Sequence, residues 1–213
     1  MSSTLNVVID LSHHNAPVDF FRAKQAGILG VIHKASQGLM EIDPQYMPRR
    51  TVAGRLNLLW GAYHFGDDSD GESQAKHFLT ARRDAPLLVL DLEENPRGGS
   101  MSLDQARLFV STVKDVTGTW PGIYGGWYLQ QMLGGQKDEV LGNCWLWVAD
   151  YRAEEQPTIP ETWGGWKLWQ YTDGQHGHPP LDIAGIAECD RDIFNGPDAN
   201  ALQAFWTGAP GAS

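Results

Sequence analysis

The stretch "LVLDLEEN", residues 88–95, joins a buried strand to an acidic end. Its first three residues are apolar, and a short continuous apolar run is typical of a strand that is covered on both faces. Asp91 and Glu93 follow almost at once. A strand that only fills a core has no need of two carboxylates, so the segment predicts both a parallel sheet and a chemical role for the end of this strand.

The rest of the chain alternates between strand-like and helix-like segments. Strands are predicted at 4–10, 28–35, 56–65, 86–93, 120–126, 144–151, 166–172 and 187–194. Helices are predicted at 17–27, 43–55, 71–84, 102–117 and 197–206. Such alternation favours a parallel sheet, and about eight strands suit a closed barrel. Because little helical pattern separates the last three strands, we expect an irregular TIM-like α/β barrel with roughly five helices and a helix-poor second half.

An open doubly wound sheet is the alternative architecture. That fold carries a Gly-rich phosphate loop after its first strand. The corresponding segment here is "DLSHHN", residues 10–15, which contains no glycine. The barrel is therefore favoured.

Composition limits the classes of protein to which the chain can belong. The 213 residues, 42% of them hydrophobic, fit one domain over 1–213 with a core of about 5–207. A net charge of −10 disfavours nucleic-acid binding. No apolar run approaches the roughly 20 residues of a membrane span. Two cysteines are too few for a disulfide scaffold, and nine tryptophans suit a cleft in which aromatic rings stack on sugars.

The acidic residues at the predicted strand ends form a candidate catalytic set. Asp91 and Glu93 are two residues apart, so they share a face of the strand at a backbone spacing of about 6.6 Å. Crowding of two carboxylates raises one pKa and leaves a protonated acid beside a charged partner. Asp10 and Asp190 lie in other strands, at the end of the predicted barrel to which Asp91 and Glu93 also belong. This end is called the mouth of the barrel. This set predicts protonation of a leaving oxygen and stabilisation of an oxocarbenium-like state.

A metal-dependent hydrolase such as a deacetylase is a second hypothesis for the residues at this end of the barrel. His13, His14, His33 and His64 lie near the predicted strand ends. Adjacent histidines diverge on an extended backbone, however, and "HGH" at 176–178 lies in a Gly/Pro-rich loop. A metal site is therefore not predicted. A serine nucleophile is not predicted either, since no G-x-S-x-G turn occurs.

Eight segments in order resemble the strand motifs of glycoside hydrolase family 25, the N-acetylmuramidases or lysozymes that cleave peptidoglycan. The resemblance covers about residues 5–196 and rests on "VIDLSHHN", "VIHKASQG", "WGAYHF", "LVLDLEEN", "PGIYGG", "LWVADY", "LWQYT" and "CDRDIFNG". It implies an irregular barrel of eight strands with five helices around its first part, and it implies no metal or organic cofactor.

The resemblance also assigns roles to residues. It implies that Glu93 is the general acid and later the base, that Asp91 stabilises the transition state or orients the 2-acetamido group, and that Asp10 and Asp190 complete the acidic set. The sugar-contacting residues that it implies are Tyr63, Tyr124, Trp147, Tyr151 and Trp169. Family members often carry an acid where this chain has Gln37, and a further acidic position near Asp182 has no clear match.

The leading hypothesis is an N-acetylmuramidase, or lysozyme, that cuts the β-1,4 bond between N-acetylmuramic acid and N-acetylglucosamine. The alternatives are a metal-dependent deacetylase of the same polymer and a non-catalytic glycan-binding barrel. The expected partner is a peptidoglycan glycan strand, acted on by a monomer without nucleic acid or a membrane span. The N-terminal segment lacks a secretory signal, so we expect a phage endolysin released through a holin, or a secreted effector, that is cytoplasmic before release.

Overall fold

The structure is a computed structural model that describes residues 4–15 and 17–208. The start of the N-terminal segment, where no export signal is predicted, lies outside the described residues. The strands are β1 Leu5–Leu11, β2 Gly30–Gln37, β3 Glu41–Ile42, β4 Leu59–Phe65, β5 Leu87–Asp91, β6 Gly122–Gly125, β7 Trp145–Ala149, β8 Leu168–Thr172 and β9 Asp190–Phe194. The helices are α1 Phe20–Gln25, α2 Tyr46–Arg55, α3 Gly71–Ala81, α4 Leu103–Thr117, α5 Trp127–Leu133 and α6 Ala199–Thr207.

Eight strands close into a barrel, which confirms the predicted fold. The order around the barrel is β1, β2, β4, β5, β6, β7, β8 and β9, and β9 pairs with β1 to complete it. The two-residue strand β3, which the sequence did not predict, pairs only with the outer end of β2.

The expectation of a wholly parallel sheet is wrong for β9. This strand runs antiparallel to both β8 and β1, whereas the other barrel neighbours are parallel. The cause lies in the connection at 173–189, which contains no helix. A parallel neighbour needs a crossover that returns the chain to the opposite end of the sheet. Without one, the chain re-enters the barrel from the end at which β8 leaves.

Helix α6 covers the barrel end at which the parallel strands begin. Leu202, Phe205 and Trp206 belong to the same apolar cluster as the inward-facing residues of the strands. A Cβ atom at Gly30, the first residue of β2, would lie 2.8 Å from the Trp206 ring, so the close approach of the helix requires a glycine there. The opposite end of the barrel is the one that stays open to solvent.

The helices differ from the predicted ones mainly at their ends. Helix α4 agrees with the predicted bounds, and a capping box between Ser102 and Gln105 stabilises its start. Helix α1 begins after its N-cap Asp19 and not at residue 17, where the predicted helix begins. Helix α5 was not predicted; it is only 7 residues long and lies between Gly126 and Gly134.

Two further predictions concern cysteines and membrane spans. Cys144 and Cys189 are buried free thiols, which agrees with the expectation that the chain is not a disulfide scaffold. Among residues 4–15 and 17–208, no helix is long and apolar enough to cross a bilayer.

Candidate active site

The predicted acids meet at the open end of the barrel. Asp10 is near the end of β1, Asp91 is the last residue of β5, and Glu93 follows two residues later. Asp190 is the first residue of β9, directly opposite Asp10 in the strand register. It reaches the same end as the others because β9 is reversed. The sequence analysis therefore predicted the correct end of the barrel for Asp190, although it expected a parallel strand and β9 is antiparallel.

These acids line one cavity of about 170 Å³. Its other walls are aromatic or amide side chains, so that a narrow polar space is bounded by flat rings. The lining residues are Asp10, Tyr63, Asp91, Glu93, Tyr124, Trp147, Tyr151, Gln170 and Asp190. Of the predicted site residues, only Trp169 is missing from this set.

Trp169 lies on the other side of the barrel wall. Its indole N–H donates a hydrogen bond to the backbone oxygen of Asp150 at 2.9 Å, and its ring packs in the outer apolar layer with Trp166 and Tyr171. The prediction that it contacts sugar does not fit this placement. Alternate residues of a strand face opposite sides, so the neighbouring Gln170 faces the cavity instead.

Gln170 was missed by sequence reasoning and connects two walls of the cavity. Its side-chain oxygen accepts hydrogen bonds from the hydroxyls of Tyr124 at 2.6 Å and Tyr151 at 2.5 Å. Its Nε2 donates to Asp10 Oδ2 at 2.7 Å. The strand "LWQYT" could have identified Gln170, because alternate residues of a strand face opposite sides and only one of the two sides lines the cavity.

Asp192 is another residue that the sequence analysis did not single out, and it is a buried acid. It lies two residues after Asp190 on β9 and is fully buried. Its Oδ1 accepts a hydrogen bond from the indole N–H of Trp147 at 2.7 Å. Trp147 therefore fixes an acid beneath the cavity as well as forming part of its wall.

Burial changes the ionisation of the whole acidic set. It raises the pKa of Glu93 to about 7. Burial, followed by repulsion from Asp173 and Glu93, raises the pKa of Asp190 to about 7. The pKa of Asp10 is raised by burial and by repulsion from its acidic neighbours, although the Gln170 hydrogen bond opposes this. At neutral pH these groups cannot all be ionised, so the site holds protons.

Asp91 differs from the other acids in its surroundings. Burial and repulsion from Glu93 raise its pKa, while the positive charge of Lys34 lowers it. Its Oδ1 is buried and accepts no hydrogen bond from the described part of the chain. Asp91 and Glu93 thus form a close pair in which one member has a cation nearby and the other does not. The attraction of Lys34 only partly offsets the rise in the Asp91 pKa, so the pair is not fully ionised at neutral pH.

Two of the histidines near the mouth, His33 and His64, are buried and structural. Burial lowers the pKa of His33 to about 4 and that of His64 to about 3, so both are neutral. His33 donates through Nδ1 to the backbone oxygen of Lys34 at 2.8 Å. His64 Nε2 donates to Gln74 Oε1 at 3.1 Å. Within residues 4–15 and 17–208, no three His, Cys, Asp or Glu side chains are grouped as metal ligands.

The fold and the cavity together define a class of enzyme. In glycoside hydrolysis one carboxylic acid of raised pKa protonates the leaving oxygen, while a second carboxylate assists from close by. A barrel that opens onto such a pair of carboxyl groups has the arrangement that a glycoside hydrolase requires.

The chain belongs to glycosyl hydrolases family 25, whose family model matches residues 9–178. It is 28% identical over 220 residues to lysozyme M1 of Streptomyces globisporus, with 91% of this chain and 69% of that one covered. A bacterial lysozyme structure from Streptomyces coelicolor superposes with a TM-score of 0.84 at 28% identity, covering 97% of this chain and 100% of that one. A muramidase structure from Acremonium alcalophilum gives a TM-score of 0.80 at 30% identity, covering 94% and 98%.

Proposed function

We propose that this chain is a lysozyme that hydrolyses the β-1,4 bond from N-acetylmuramic acid to N-acetylglucosamine in peptidoglycan, with Glu93 as the general acid and base. The observation that carries the proposal is the raised pKa of Glu93, about 7, beside Asp91 in the cavity at the open end of the barrel. The similarity to proteins named lysozyme and muramidase supports the same substrate.

The first chemical step needs a proton donor at the glycosidic oxygen. A carboxyl group with a pKa near 7 keeps its proton at neutral pH and can release it as the bond breaks. Once the leaving sugar has departed, the Glu93 carboxylate removes a proton from the attacking water. The two roles fall to one residue because the second step reverses the proton transfer of the first.

Asp91 has the properties of an assisting carboxylate. Its carboxyl group lines the cavity beside Glu93, where it can accept a hydrogen bond from the N–H of the substrate's 2-acetamido group. That contact would hold the acetamido oxygen towards the anomeric carbon and stabilise the positive charge that develops there. We therefore expect net retention of configuration, with the acetamido group as the internal nucleophile.

The remaining residues position the pair and the sugar. Asp10 and Asp190 complete the acidic wall, and Gln170 holds Asp10 through Nε2. Tyr63, Tyr124, Trp147 and Tyr151 are the candidate sugar contacts that line the cavity. The residues from Leu5 to Thr207 are proposed to form one catalytic domain that acts as a monomer on the cell wall. Release as an endolysin or as a secreted effector stays a prediction.

Replacing Glu93 tests the catalytic assignment. Glu93→Gln keeps the shape but removes the transferable proton, so we expect kcat to fall by about 10³-fold or more. In the unaltered chain kcat/KM should fall as the pH rises through about 7, because Glu93 loses its proton there. Reducing ends released from purified peptidoglycan are measured against pH, and circular dichroism checks folding.

Fragment analysis tests the bond that is cut. Mass spectrometry of the products should show N-acetylmuramic acid at the new reducing ends. A new N-acetylglucosamine end, released acetate, or a Glu93→Gln variant that keeps most of the rate would each contradict the proposal. Loss of activity with a chelator would favour the deacetylase.

A further inference from the structure

Trp127 differs from the other tryptophans of the chain in its exposure. Its relative exposure is 60%, whereas the other tryptophans, which all lie within residues 17–208, are buried or half-buried. Single exposed apolar side chains are common on protein surfaces and need no explanation by themselves. The position of this ring, beside the mouth of the barrel, is what distinguishes it.

Strand β6 brings Trp127 to the mouth. This strand is parallel to β5 and β7, so it finishes at the end of the barrel where the acids meet, and Tyr124 is paired with Asp91 in the strand register. Trp127 begins helix α5 three residues after Tyr124, which lines the cavity. Because three residues span at most about 11 Å, the backbone of Trp127 lies within that distance of the backbone of Tyr124.

Close backbone contacts fix the turn between β6 and α5. A Cβ atom at Gly125 would lie 3.1 Å from the backbone oxygen of Leu92, which directly precedes the proposed general acid. A Cβ atom at Gly126 would lie 3.0 Å from the backbone oxygen of Ala149, the last residue of β7. The turn is therefore packed between the ends of β5 and β7, and this packing fixes the backbone of Trp127 beside the cavity.

The side chain of Trp127 points away from the core of the barrel. Helix α5 buries Leu129 and Leu133, which lie about 200° and 240° around the helix axis from Trp127. Cβ atoms tilt towards the start of a helix, and α5 starts at the mouth, so the Trp127 side chain leans towards the mouth. The Tyr128 ring packs at a steep angle beside it, with the ring centroids 5.9 Å apart. These features leave an aromatic surface open to solvent at the rim of the mouth.

A larger groove adjoins the cavity on the other side of the mouth. Its volume is about 710 Å³, and it is lined by residues at the ends of β1, β2, β4 and β5 and in the segments after them. Tyr63, Asp91 and Glu93 line both the groove and the cavity. In the order around the barrel, β6 and β7 lie across from β1 and β2. A polymer that enters along the groove and passes the cavity therefore leaves the mouth on the side where Trp127 lies.

We propose that the Trp127 ring is a distal binding site for one sugar of the glycan strand, on the arm that leaves the cavity beside β6 and β7. The inference goes beyond the proposed function and rests on it only in taking a glycan as the substrate. An indole is a flat apolar surface, and the C–H groups on one face of a pyranose ring pack against such a surface. Because this contact is the same before and during bond cleavage, it lowers KM without changing kcat.

Kinetics on peptide-free strands of graded length test the site. Trp127→Ala removes the ring, and on long strands it should lower kcat/KM by about 3- to 10-fold through KM, the loss expected for one aromatic contact. Trp127→Phe keeps an aromatic surface and should restore part of this loss. The loss should shrink as the strands shorten, because a strand confined to the cavity does not reach the ring. Val116→Ala, which removes a similarly exposed apolar side chain near the closed end of the barrel, is the control and should change nothing.

Fluorescence quenching tests the contact directly. Trp127 is the exposed tryptophan within residues 17–208, so iodide should quench its emission more than that of the buried rings. Peptide-free strands added to the Glu93→Gln variant, which is expected to bind them without cleavage, should protect this emission from iodide. When Trp127→Phe is added to Glu93→Gln, both the quenched emission and its protection should be lost.

The results separate the distal site from the proposed function. No loss with Trp127→Ala, an equal loss at every strand length, or quenching that the strands do not reduce would each overturn the distal site, while cleavage by the unaltered chain would still uphold the lysozyme. Protection of Trp127 by strands that the unaltered chain does not cleave would uphold the distal site and contradict the lysozyme.

Discussion

Single side chains in this site differ in chemistry because their surroundings differ. Glu93 and Asp91 are both carboxylic acids two residues apart, but only Asp91 has the charge of Lys34 acting on it. Burial and neighbouring acids raise the pKa of Asp190, opposite Asp10, to about 7. The ionisation of each acid is therefore a property of its position.

Asp190 should reduce stability at neutral pH. Its folded-state pKa of about 7 lies above the ordinary value of 3.8, so the stability that it provides is complete below about pH 4 and is lost as the pH rises through 7. Asp190→Asn should raise the free energy of unfolding at pH 8 by about 1–3 kcal/mol, after allowance for solvent at the cavity mouth, with a smaller gain at pH 4.

Urea unfolding at the two pH values measures this effect. Asp115→Asn, which removes an exposed acid from α4, is the charge-matched control and should change stability equally little at both. The same effect of Asp190→Asn at pH 4 and pH 8 would contradict the role of ionisation.

Two properties of the strands decide where these side chains lie. One is the direction in which a strand runs, and the other is the alternation of its side chains between the two faces of the sheet. Because β9 is antiparallel, its first residue reaches the end of the barrel where the parallel strands finish. On β8, Gln170 faces the cavity while Trp169 and Tyr171 face the outer layer. A shift of one residue along β8 would exchange these faces and remove Gln170 from the site.

Neighbouring substitutions on β8 should therefore separate activity from stability. Gln170→Leu leaves two tyrosine hydroxyls and Asp10 without their partner, so we expect kcat/KM to fall at least tenfold. Trp169→Phe removes a hydrogen bond and apolar contact in the outer layer, and should cost about 1–3 kcal/mol of stability with kcat/KM within about twofold. Kinetics and urea unfolding of both variants make the comparison. A comparable kcat/KM loss in Trp169→Phe would place that ring in the site.

The whole molecule has one closed end and one open end. Helix α6 fills the end at which the parallel strands begin, with Phe205 and Trp206 packed against the interior of the barrel. The active-site cavity lies at the other end, where the acids are collected. The packed apolar end and the candidate active site therefore lie at opposite ends of the same barrel.

Trp206 should therefore contribute to stability without affecting the chemical step. The residue is 1% exposed, and Trp206→Ala would leave a large void between α6 and the strands. We expect a loss of about 3–5 kcal/mol in the free energy of unfolding, with kcat within about twofold at temperatures where the variant is folded. Thermal unfolding and kinetics at 15 °C test this, with Trp206→Phe as the milder variant. A large fall in kcat of the folded variant would show that the two ends are coupled.

The order of elements and the acidic strand ends could be predicted from the chain itself. Apolar runs and helical spacing are local properties, and so are the motifs "LVLDLEEN" and "LWQYT" that carry the family resemblance. The parity of Asp91 and Glu93 also follows from the two-residue repeat of a strand, which requires no knowledge of the neighbouring strands.

Other features were decided only by the tertiary structure. The direction of β9 depends on how a helix-free connection returns the chain to the barrel, and the sequence does not state that path. The partnership of Gln170 with Asp10 joins residues 160 positions apart. The raised pKa of Glu93 arises from the loss of water around it, because desolvation is produced by the packing of distant segments and not by the residues beside it in the chain.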